Sequence, residues 1–185
     1  NAKAFRVTSS RELKNLRKFG IKQPIAVIPH GINSVSSLKK KIIEKKISSK
    51  TILFIGRIHP VKNIESLLKA WSILNKRYKD WNLIIAGSGE KKYTDQLKKY
   101  SIQLNVKNLT WQGELNTLEK NNLINNSTIL ILPSLSENYG LVVAESLSLG
   151  TPVIFSDQTP WKSLEKFNCG FSTTTNYKSI KNALK

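Results

Sequence analysis

Residues 129–155 read ILILPSLSENYGLVVAESLSLGTPVIF, and the pattern of the whole chain is clearest in this stretch. Four apolar residues open it and are stopped by Pro133-Ser134, and the apolar run Val153-Ile154-Phe155 closes it. Short apolar runs bounded by Gly or Pro are typical of strands buried on both faces. Residues 141–149 are apolar over a helical length, and Gly150 follows as a helix stop. The stretch therefore predicts a strand, a loop, a helix and a second strand.

The same alternation continues upstream. Further apolar runs lie at residues 25–29, 52–55, 83–86 and 109–111. Helical patterns lie at residues 64–78, 90–100 and 118–124. Strands that alternate with helices at this spacing indicate βαβ units and a parallel sheet. We therefore expect an α/β fold, in which a Rossmann-like parallel sheet is flanked by helices.

The organisation of the chain predicts two parts. Residues 1–24 are interpreted as a separate element of one strand and one helix that links domains, and residues 25–185 as the main domain. Residues 34–50 form a Lys- and Ser-rich connector within the main domain. A last helical pattern begins at Ser179 and is cut short, and the chain contains no methionine, even at position 1. We therefore expect the chain to be part of a longer translation product.

Composition excludes several classes of protein. No apolar stretch approaches the roughly 20 residues that span a bilayer. The single cysteine, Cys169, excludes an internal disulfide and a thiolate zinc site, so a cytoplasmic setting is the default expectation. The formal net charge is +18. Such a charge predicts attraction to anions, which leaves nucleic acid, acidic lipid and phosphorylated small molecules as candidate partners.

Ligands of open parallel sheets bind at the carboxyl ends of the strands, so the loops there are the candidate sites. His30-Gly31 and Gly87-Ser88-Gly89 are weak signals, because most such glycines serve tight turns. The loop Gly56-Arg57 through Lys62-Asn63 carries two cations just before a helix. Arg offers a planar fork to phosphate and Lys a mobile point charge, and the helix adds its N–H groups. A diphosphate site and two solvated basic side chains are both open interpretations.

Two carboxylates follow the strand at 129–132. Glu137 lies at the entrance of the helix predicted at 141–149, and Glu145 lies inside it. At about 1.5 Å per residue along a helix, their spacing predicts a separation of roughly 12 Å, comparable to the span from ribose to hexose in a nucleotide sugar. Carboxylates accept paired hydrogen bonds from vicinal hydroxyl groups. The alternatives are a helix-start carboxylate for Glu137 and a buried salt bridge for Glu145.

Taken together, the motifs resemble those of a known family. They are the Gly56-Arg57 and Lys62-Asn63 loop, the Gly87-x-Gly89 turn, Pro133-Ser134 with Glu137, Tyr139-Gly140 and Glu145, and Gly150-Thr151-Pro152-Val153-Ile154. They resemble the C-terminal, donor-binding domain of retaining GT-B glycosyltransferases, the group 1 enzymes of bacterial lipopolysaccharide and exopolysaccharide synthesis. The resemblance implies that the chain is one half of a GT-B architecture.

The resemblance also implies roles for individual residues. Arg57, Lys62 and Glu137 are implied as catalytic, with the two cations on the donor diphosphate and Glu137 near the donor hexose. Glu145 is implied to hold the ribose hydroxyls. The implied donor-binding set is Gly31, Gly56, Arg57, Lys62, Glu137, Asn138, Tyr139, Gly140 and Glu145. His30-Gly31 stands where the family often has Asn-Gly, and the role of His30 is left open.

The implied reaction is transfer of a hexosyl unit from a nucleoside diphosphate sugar with retention at the anomeric carbon. The family requires no metal or other cofactor. The acceptor, a glycan or lipid-linked molecule, is expected to bind mainly to an N-terminal domain outside this chain, so we expect the chain alone to transfer little sugar. The basic surface suggests peripheral contact with an anionic membrane at the inner face of the cell.

Two other functions remain open. A GT-B sugar epimerase or phosphorylase shares the fold implied by the resemblance. A nucleic-acid-binding domain is suggested by the charge, but it predicts basic residues on one face interleaved with aromatics. The lysines are instead spread over connectors and polar helix faces, as at residues 39–41, 91–92 and 98–99. We therefore expect no nucleic-acid partner.

Overall fold

The structure is a computed structural model that describes residues 2–32 and 50–185. Eight strands and six α-helices occur in this part of the chain. The strands are β1 (Phe5–Val7), β2 (Ile25–Val27), β3 (Thr51–Ile55), β4 (Asn82–Ala86), β5 (Leu109–Gln112), β6 (Ile129–Leu132), β7 (Val153–Ser156) and β8 (Gly170–Thr173). The helices are α1 (Ser10–Lys18), α2 (Ile64–Leu74), α3 (Lys91–Gln103), α4 (Thr117–Asn125), α5 (Leu141–Ser148) and α6 (Tyr177–Ala183). Nearly all of the predicted connector at 34–50 lies outside the described residues.

Six strands form one parallel sheet in the order β5-β4-β3-β6-β7-β8. The chain order reverses direction between β3 and β6, which are neighbours although two strands separate them in sequence. In sheets of this kind the crevice outside the carboxyl ends of such a pair is the usual ligand site. The predicted Rossmann-like α/β fold is confirmed.

Helices cover both faces of the sheet, because the apolar strand residues alternate between two cores. On one face, Ile52 and Phe54 of β3 pack in the core that includes α2 residues and Leu97 of α3. On the other face, Leu53 packs in the core that includes Ile124 of α4 and Val143 of α5. Burial on both faces explains why the strands have continuous apolar sequences instead of alternating ones.

Two details of the predicted sheet are wrong. Residues 25–29 were expected to form a buried strand, but β2 pairs only with β1 in a separate two-stranded sheet, and Ala26 and Val27 are exposed. No strand was predicted after Val153-Ile154-Phe155, but β8 follows it at the edge of the sheet. An edge strand is covered on fewer sides, and Phe171 of β8 is exposed. β8 therefore lacks the run of apolar residues from which the other strands were predicted.

The helices begin close to the predicted residues, but their ends differ. The pattern at 64–78 predicted that α2 ends at residue 78, but the helix ends four residues earlier, at Leu74. The side chain of Asn75 turns away from the helix and donates a hydrogen bond to the carbonyl of Lys107 at 3.2 Å. Gly150, with a φ of +73°, follows α5 as predicted.

The N-terminal element consists of β1, α1 and β2. Its two strands pair with each other, and they lie on either side of the predicted domain boundary at residue 24. That boundary stays a prediction. Ser9 caps α1 by accepting a hydrogen bond from the backbone N–H of Glu12. Arg11 donates to the side-chain oxygen of Gln158 at 2.7 Å, which joins this element to the loop after β7. Within the described residues, no helix is long and apolar enough to cross a membrane.

Candidate functional site

The loop after β3 is packed directly on the loop after β4. The N–H of Ile58 donates to the carbonyl of Ser88 at 2.8 Å. A Cβ on Gly87, whose φ is +132°, would lie 2.1 Å from the carbonyl oxygen of Gly56, and a Cβ on Gly89 would lie 2.0 Å from that of Ile58. The two glycines of the Gly87-Ser88-Gly89 turn therefore allow the backbones of the two loops to touch, which a simple turn would not require.

The loop after β3 is also tied to the loop after β6. Asn63 adopts a left-handed conformation with a φ of 57°, and its buried side chain donates to the carbonyls of Pro133 and Thr175 at 3.1 and 2.7 Å. The N–H of Leu135 donates to the carbonyl of Val61 at 2.8 Å. These contacts fix the loops after β3 and β6 to each other at the crevice. Sequence reasoning did not identify this role of Asn63.

Lys62 and Glu137 form an ion pair across these two loops. The distance from Lys62 Nζ to Glu137 Oε2 is 2.5 Å, and both side chains are 16% exposed. The hydroxyl of Ser134 lies 3.4 Å from the same carboxylate oxygen. Glu137 therefore has a cation and a hydroxyl donor, and Lys62 is held at the carboxyl end of β6.

Arg57 differs from Lys62 in being exposed and in lining a cavity of about 330 Å³ at the carboxyl ends of β3 and β4. The cavity is lined by Ile55, Gly56, Arg57, Ala86, Gly87, Ser88, Glu114, Leu115 and Lys120. Within this lining, the hydroxyl of Ser88 donates to the carboxylate of Glu114 at 3.1 Å. The cavity is large enough for part of a small organic ligand, and it presents both cations and hydrogen-bonding groups.

Glu145 forms a salt bridge, as one interpretation predicted, but the pair is only partly buried. Its Oε1 lies 2.6 Å from Nζ of Lys120, with side chains 27% and 25% exposed. The two carboxylates are not separated by helix alone, as was predicted, because α5 begins at Leu141 and Glu137 lies in the loop before it. A helical rise therefore cannot give the distance between the two carboxylates.

The loop between Glu137 and α5 is held by aromatic side chains. The ring of Tyr139 lies 5.0 Å from that of Trp161 and 5.5 Å from that of His30, measured between centroids. The indole N–H of Trp161 donates to the carbonyl of Tyr139, and the Tyr139 hydroxyl lies 3.3 Å from the carbonyl of His30. Tyr139 and Trp161 also line a second cavity, of about 700 Å³, against the N-terminal element.

The structure thus brings together most of the predicted site residues. Gly56 and Arg57 line the cavity, Lys62 and Glu137 pair between the loops after β3 and β6, and Glu145 pairs with Lys120 of the cavity lining. Gly140 lies beside the side chain of Glu137, and Tyr139 lines the second cavity. Asn138 and Gly31 are exposed, and a Cβ on Gly31 would meet no atom within 4 Å. In residues 2–32 and 50–185, no three His, Cys, Asp or Glu side chains are grouped as a metal site would require.

Sequence reasoning missed Lys120, although the sequence contains a signal for it. Between Lys107 and Lys162 the chain has a single Lys or Arg, and that residue is Lys120. The isolation of this lysine within a strongly basic chain is the signal that could have singled it out, and the structure shows that it pairs with Glu145.

The chain also matches a known protein family. The signature of the family described as "Glycosyl transferases group 1" matches residues 36–184, and the chain belongs to that family. The chain is 34% identical over 119 residues to an uncharacterized glycosyltransferase of Haemophilus influenzae, which covers 62% of this chain and 32% of that protein. It is 31% identical over 136 residues to the O-antigen chain mannosyltransferase RfbU of Salmonella typhimurium, which covers 73% of this chain and 36% of RfbU.

Solved structures show the same fold. HepE of Anabaena, crystallised with UDP and glucose, superposes with a TM-score of 0.82 at 17% sequence identity, over 99% of this chain and 52% of HepE. Sucrose-phosphate synthase of Thermosynechococcus elongatus superposes with a TM-score of 0.81 at 21% identity, over 100% of this chain and 48% of that protein. The chain therefore spans about half of these solved structures and about a third of the curated relatives named above.

Proposed function

We propose that this chain is the donor-binding domain of a retaining glycosyltransferase that uses a nucleoside diphosphate sugar. The observation that carries the proposal is the position of Arg57 and Lys62. Both follow β3 at the point where the strand order reverses, and Arg57 lines the cavity there. Family membership supports glycosyl transfer, and the two cations support binding of a diphosphate.

The described contacts support a specific arrangement of the donor. The exposed guanidinium of Arg57 is available to the diphosphate, and Lys62 shares its charge between the diphosphate and Glu137. Glu145, beside the cavity, accepts hydrogen bonds from the ribose hydroxyls. Glu137 faces the hexose, and the backbone of Asn138, Tyr139 and Gly140 lies between the two carboxylates in sequence. HepE was also crystallised with UDP-glucose, which makes uridine nucleotides the first ligands to test.

In the proposed reaction the bond between the anomeric carbon and the diphosphate breaks, and the acceptor oxygen forms a new bond to that carbon with the same configuration. The acceptor hydroxyl releases its proton to water, and the diphosphate departs with the electron pair of the broken bond and with additional negative charge. Arg57 and Lys62 stabilise that charge, which is the type of contribution that usually dominates catalysis. The proposal assigns this role to side chains and requires no metal.

The whole enzyme is proposed to bind its acceptor, a glycan or lipid-linked molecule of bacterial surface polysaccharide synthesis, with a further domain. We also propose that the basic surface contacts an anionic membrane. Exposed lysines such as Lys91, Lys92, Lys98 and Lys99 lie on α3, and none of them lines the cavity. Flotation of the full-length protein with vesicles containing anionic lipid should be lost at high salt, and absence of flotation at low salt would contradict the membrane contact.

Calorimetric titration with UDP, GDP, UDP-glucose and a short DNA duplex tests donor binding. We expect a nucleoside diphosphate to bind and the duplex not to bind. Lys62→Ala and Glu145→Ala should each weaken nucleotide binding at least about ten-fold with the fold intact, since a hydrogen bond to a charged group contributes about 1.5–3 kcal/mol. Lys99→Ala, an exposed lysine on α3, is the matched control. Unchanged binding in both site variants would overturn the assignment.

A further inference from the structure

We propose that Lys120 is a positioning residue of the nucleotide site, which holds the carboxylate of Glu145 in the orientation that accepts the ribose hydroxyls. The inference rests on the proposed function and names a residue that this function did not include. It predicts that Lys120 contributes to the discrimination between a ribonucleotide and a nucleotide without ribose hydroxyl groups.

Lys120 both lines the cavity and contacts Glu145. Its ammonium lies 2.6 Å from Glu145 Oε1, and its side chain also lines the cavity that Arg57 lines. The two charged groups come from different helices, α4 and α5, so the ion pair joins these helices beside the cavity. Each side chain is about a quarter exposed, which limits screening of the pair by water.

The position of Lys120 is fixed by the start of its helix. Asn116 accepts a hydrogen bond from the N–H of Glu119 at 3.0 Å, and the Glu119 carboxylate accepts one from the N–H of Asn116 at 2.9 Å. This reciprocal capping box defines the first turn of α4. Lys120 is the next residue, so its direction toward Glu145 is set by a defined helix start.

The chemistry of the pair explains what Lys120 adds. The ammonium hydrogen-bonds to Oε1 of Glu145, which leaves Oε2 and the remaining lone pairs for a vicinal diol. Without Lys120, the half-buried carboxylate has no cation in this contact and is free to rotate toward water. Lys120 therefore acts through Glu145, so its removal weakens the hydrogen bonds to the ribose hydroxyls.

The test compares two nucleotides on a small set of variants. Binding of UDP and of 2′,3′-dideoxy-UDP is measured by calorimetry for the wild-type chain, Lys120→Met, Lys120→Arg, Glu145→Gln and the double variant. If GDP binds the wild-type chain more tightly than UDP, GDP and its dideoxy form replace them. Lys99→Met removes one exposed charge elsewhere and serves as the control, and thermal unfolding of each variant establishes that it is folded.

We expect the wild-type chain to prefer UDP over the dideoxy form by about ten-fold. Lys120→Met should lower UDP affinity by about five- to ten-fold and dideoxy-UDP affinity by less than about two-fold, so the preference disappears. Lys120→Arg should restore it, and Lys120→Met should have no further effect on Glu145→Gln.

Two results would overturn the inference alone. One is a Lys120→Met variant that binds UDP as the wild-type chain does. The other is an equal loss for both nucleotides, which would place Lys120 on the diphosphate or in the fold. A wild-type chain that binds no nucleoside diphosphate would instead overturn the proposed function, and the inference with it.

Discussion

Lys62 Nζ lies 2.5 Å from Glu137 Oε2, and this ion pair joins the loop after β3 to the loop after β6 at the crevice of the sheet. Both side chains are mostly buried, so neither charge is well solvated by water alone. The pair therefore holds the two loops together, and its charged groups are also available to a ligand. A diphosphate that enters the crevice has to share the Lys62 ammonium with Glu137.

Removing one partner of this pair should have different effects from removing both charges. Lys62→Met leaves Glu137 without its cation and should cost up to about 3 kcal/mol of stability. The double variant Lys62→Met/Glu137→Gln should recover most of that stability, but it should not recover nucleotide binding. Chemical unfolding and calorimetry on the three proteins measure the two effects. Recovered binding in the double variant would show that Lys62 is not a ligand of the diphosphate.

Gly87→Ala should damage both the fold and the site. The new Cβ would lie 2.1 Å from the carbonyl oxygen of Gly56, and the φ of +132° is itself unfavourable for alanine. The loop that carries Arg57 must move, so we expect a lower thermal unfolding temperature together with weaker nucleotide binding. Gly113→Ala is the matched control, because a Cβ there meets no atom within 4 Å. Equal unfolding temperatures for the two variants would contradict the described packing of the loops.

The alkaline limit of stability should depend on Tyr93. Burial, together with the 2.5 Å hydrogen bond to Glu65, raises the pKa of the Tyr93 hydroxyl above its usual value of 10.0. Above pH 10 the unfolded chain loses this proton while the folded chain keeps it, so the stability that Tyr93 contributes is full below pH 10 and falls as pH rises further.

Tyr93→Phe tests this directly. The difference in unfolding free energy between the wild-type chain and this variant should be constant from pH 7 to 9 and should shrink above pH 10. Urea unfolding at a series of pH values measures it, and comparison with the variant removes the contribution of the many lysines, which both proteins share. A difference that stays constant through pH 11 would mean that the Tyr93 pKa is not raised.

Nucleotide binding should not depend on a divalent metal. In the proposal Arg57 and Lys62 supply the positive charge that a metal supplies in other diphosphate sites. Calorimetric titration with UDP in EDTA and in millimolar Mg²⁺ should therefore give affinities within about three-fold of each other, a difference of less than 1 kcal/mol. Loss of binding in EDTA would assign the diphosphate to a metal and would require a different arrangement of the site.

The sequence predicted the central sheet well because its strands are buried on both faces. Apolar runs such as the one at 129–132 leave few alternatives once Gly and Pro mark their ends. The same reasoning failed for β2 and β8, because the exposure of a strand depends on which elements cover it. That information lies in the tertiary structure and not in the short run itself.

The candidate site was predicted less completely, for a similar reason. Arg57, Lys62 and the two carboxylates were found because their types and spacing match a known pattern. Asn63 and Lys120 were missed because each acts through a partner that is distant in sequence: Asn63 through the carbonyl of Pro133 and Lys120 through Glu145. The net charge predicted anionic partners in general and did not point to a particular residue. The stretch from 108 to 161, which carries both carboxylates, contains a single Lys or Arg, which is Lys120.

A crystal structure of the chain with bound UDP-glucose, or with a GDP-sugar if that binds more tightly, tests the central claim most directly. The account predicts density in the cavity at the carboxyl ends of β3 and β4, with the diphosphate within hydrogen-bond distance of Arg57 and Lys62 and the ribose hydroxyls on Glu145. Density for the nucleotide at another place, such as the second cavity beside Trp161, would contradict it.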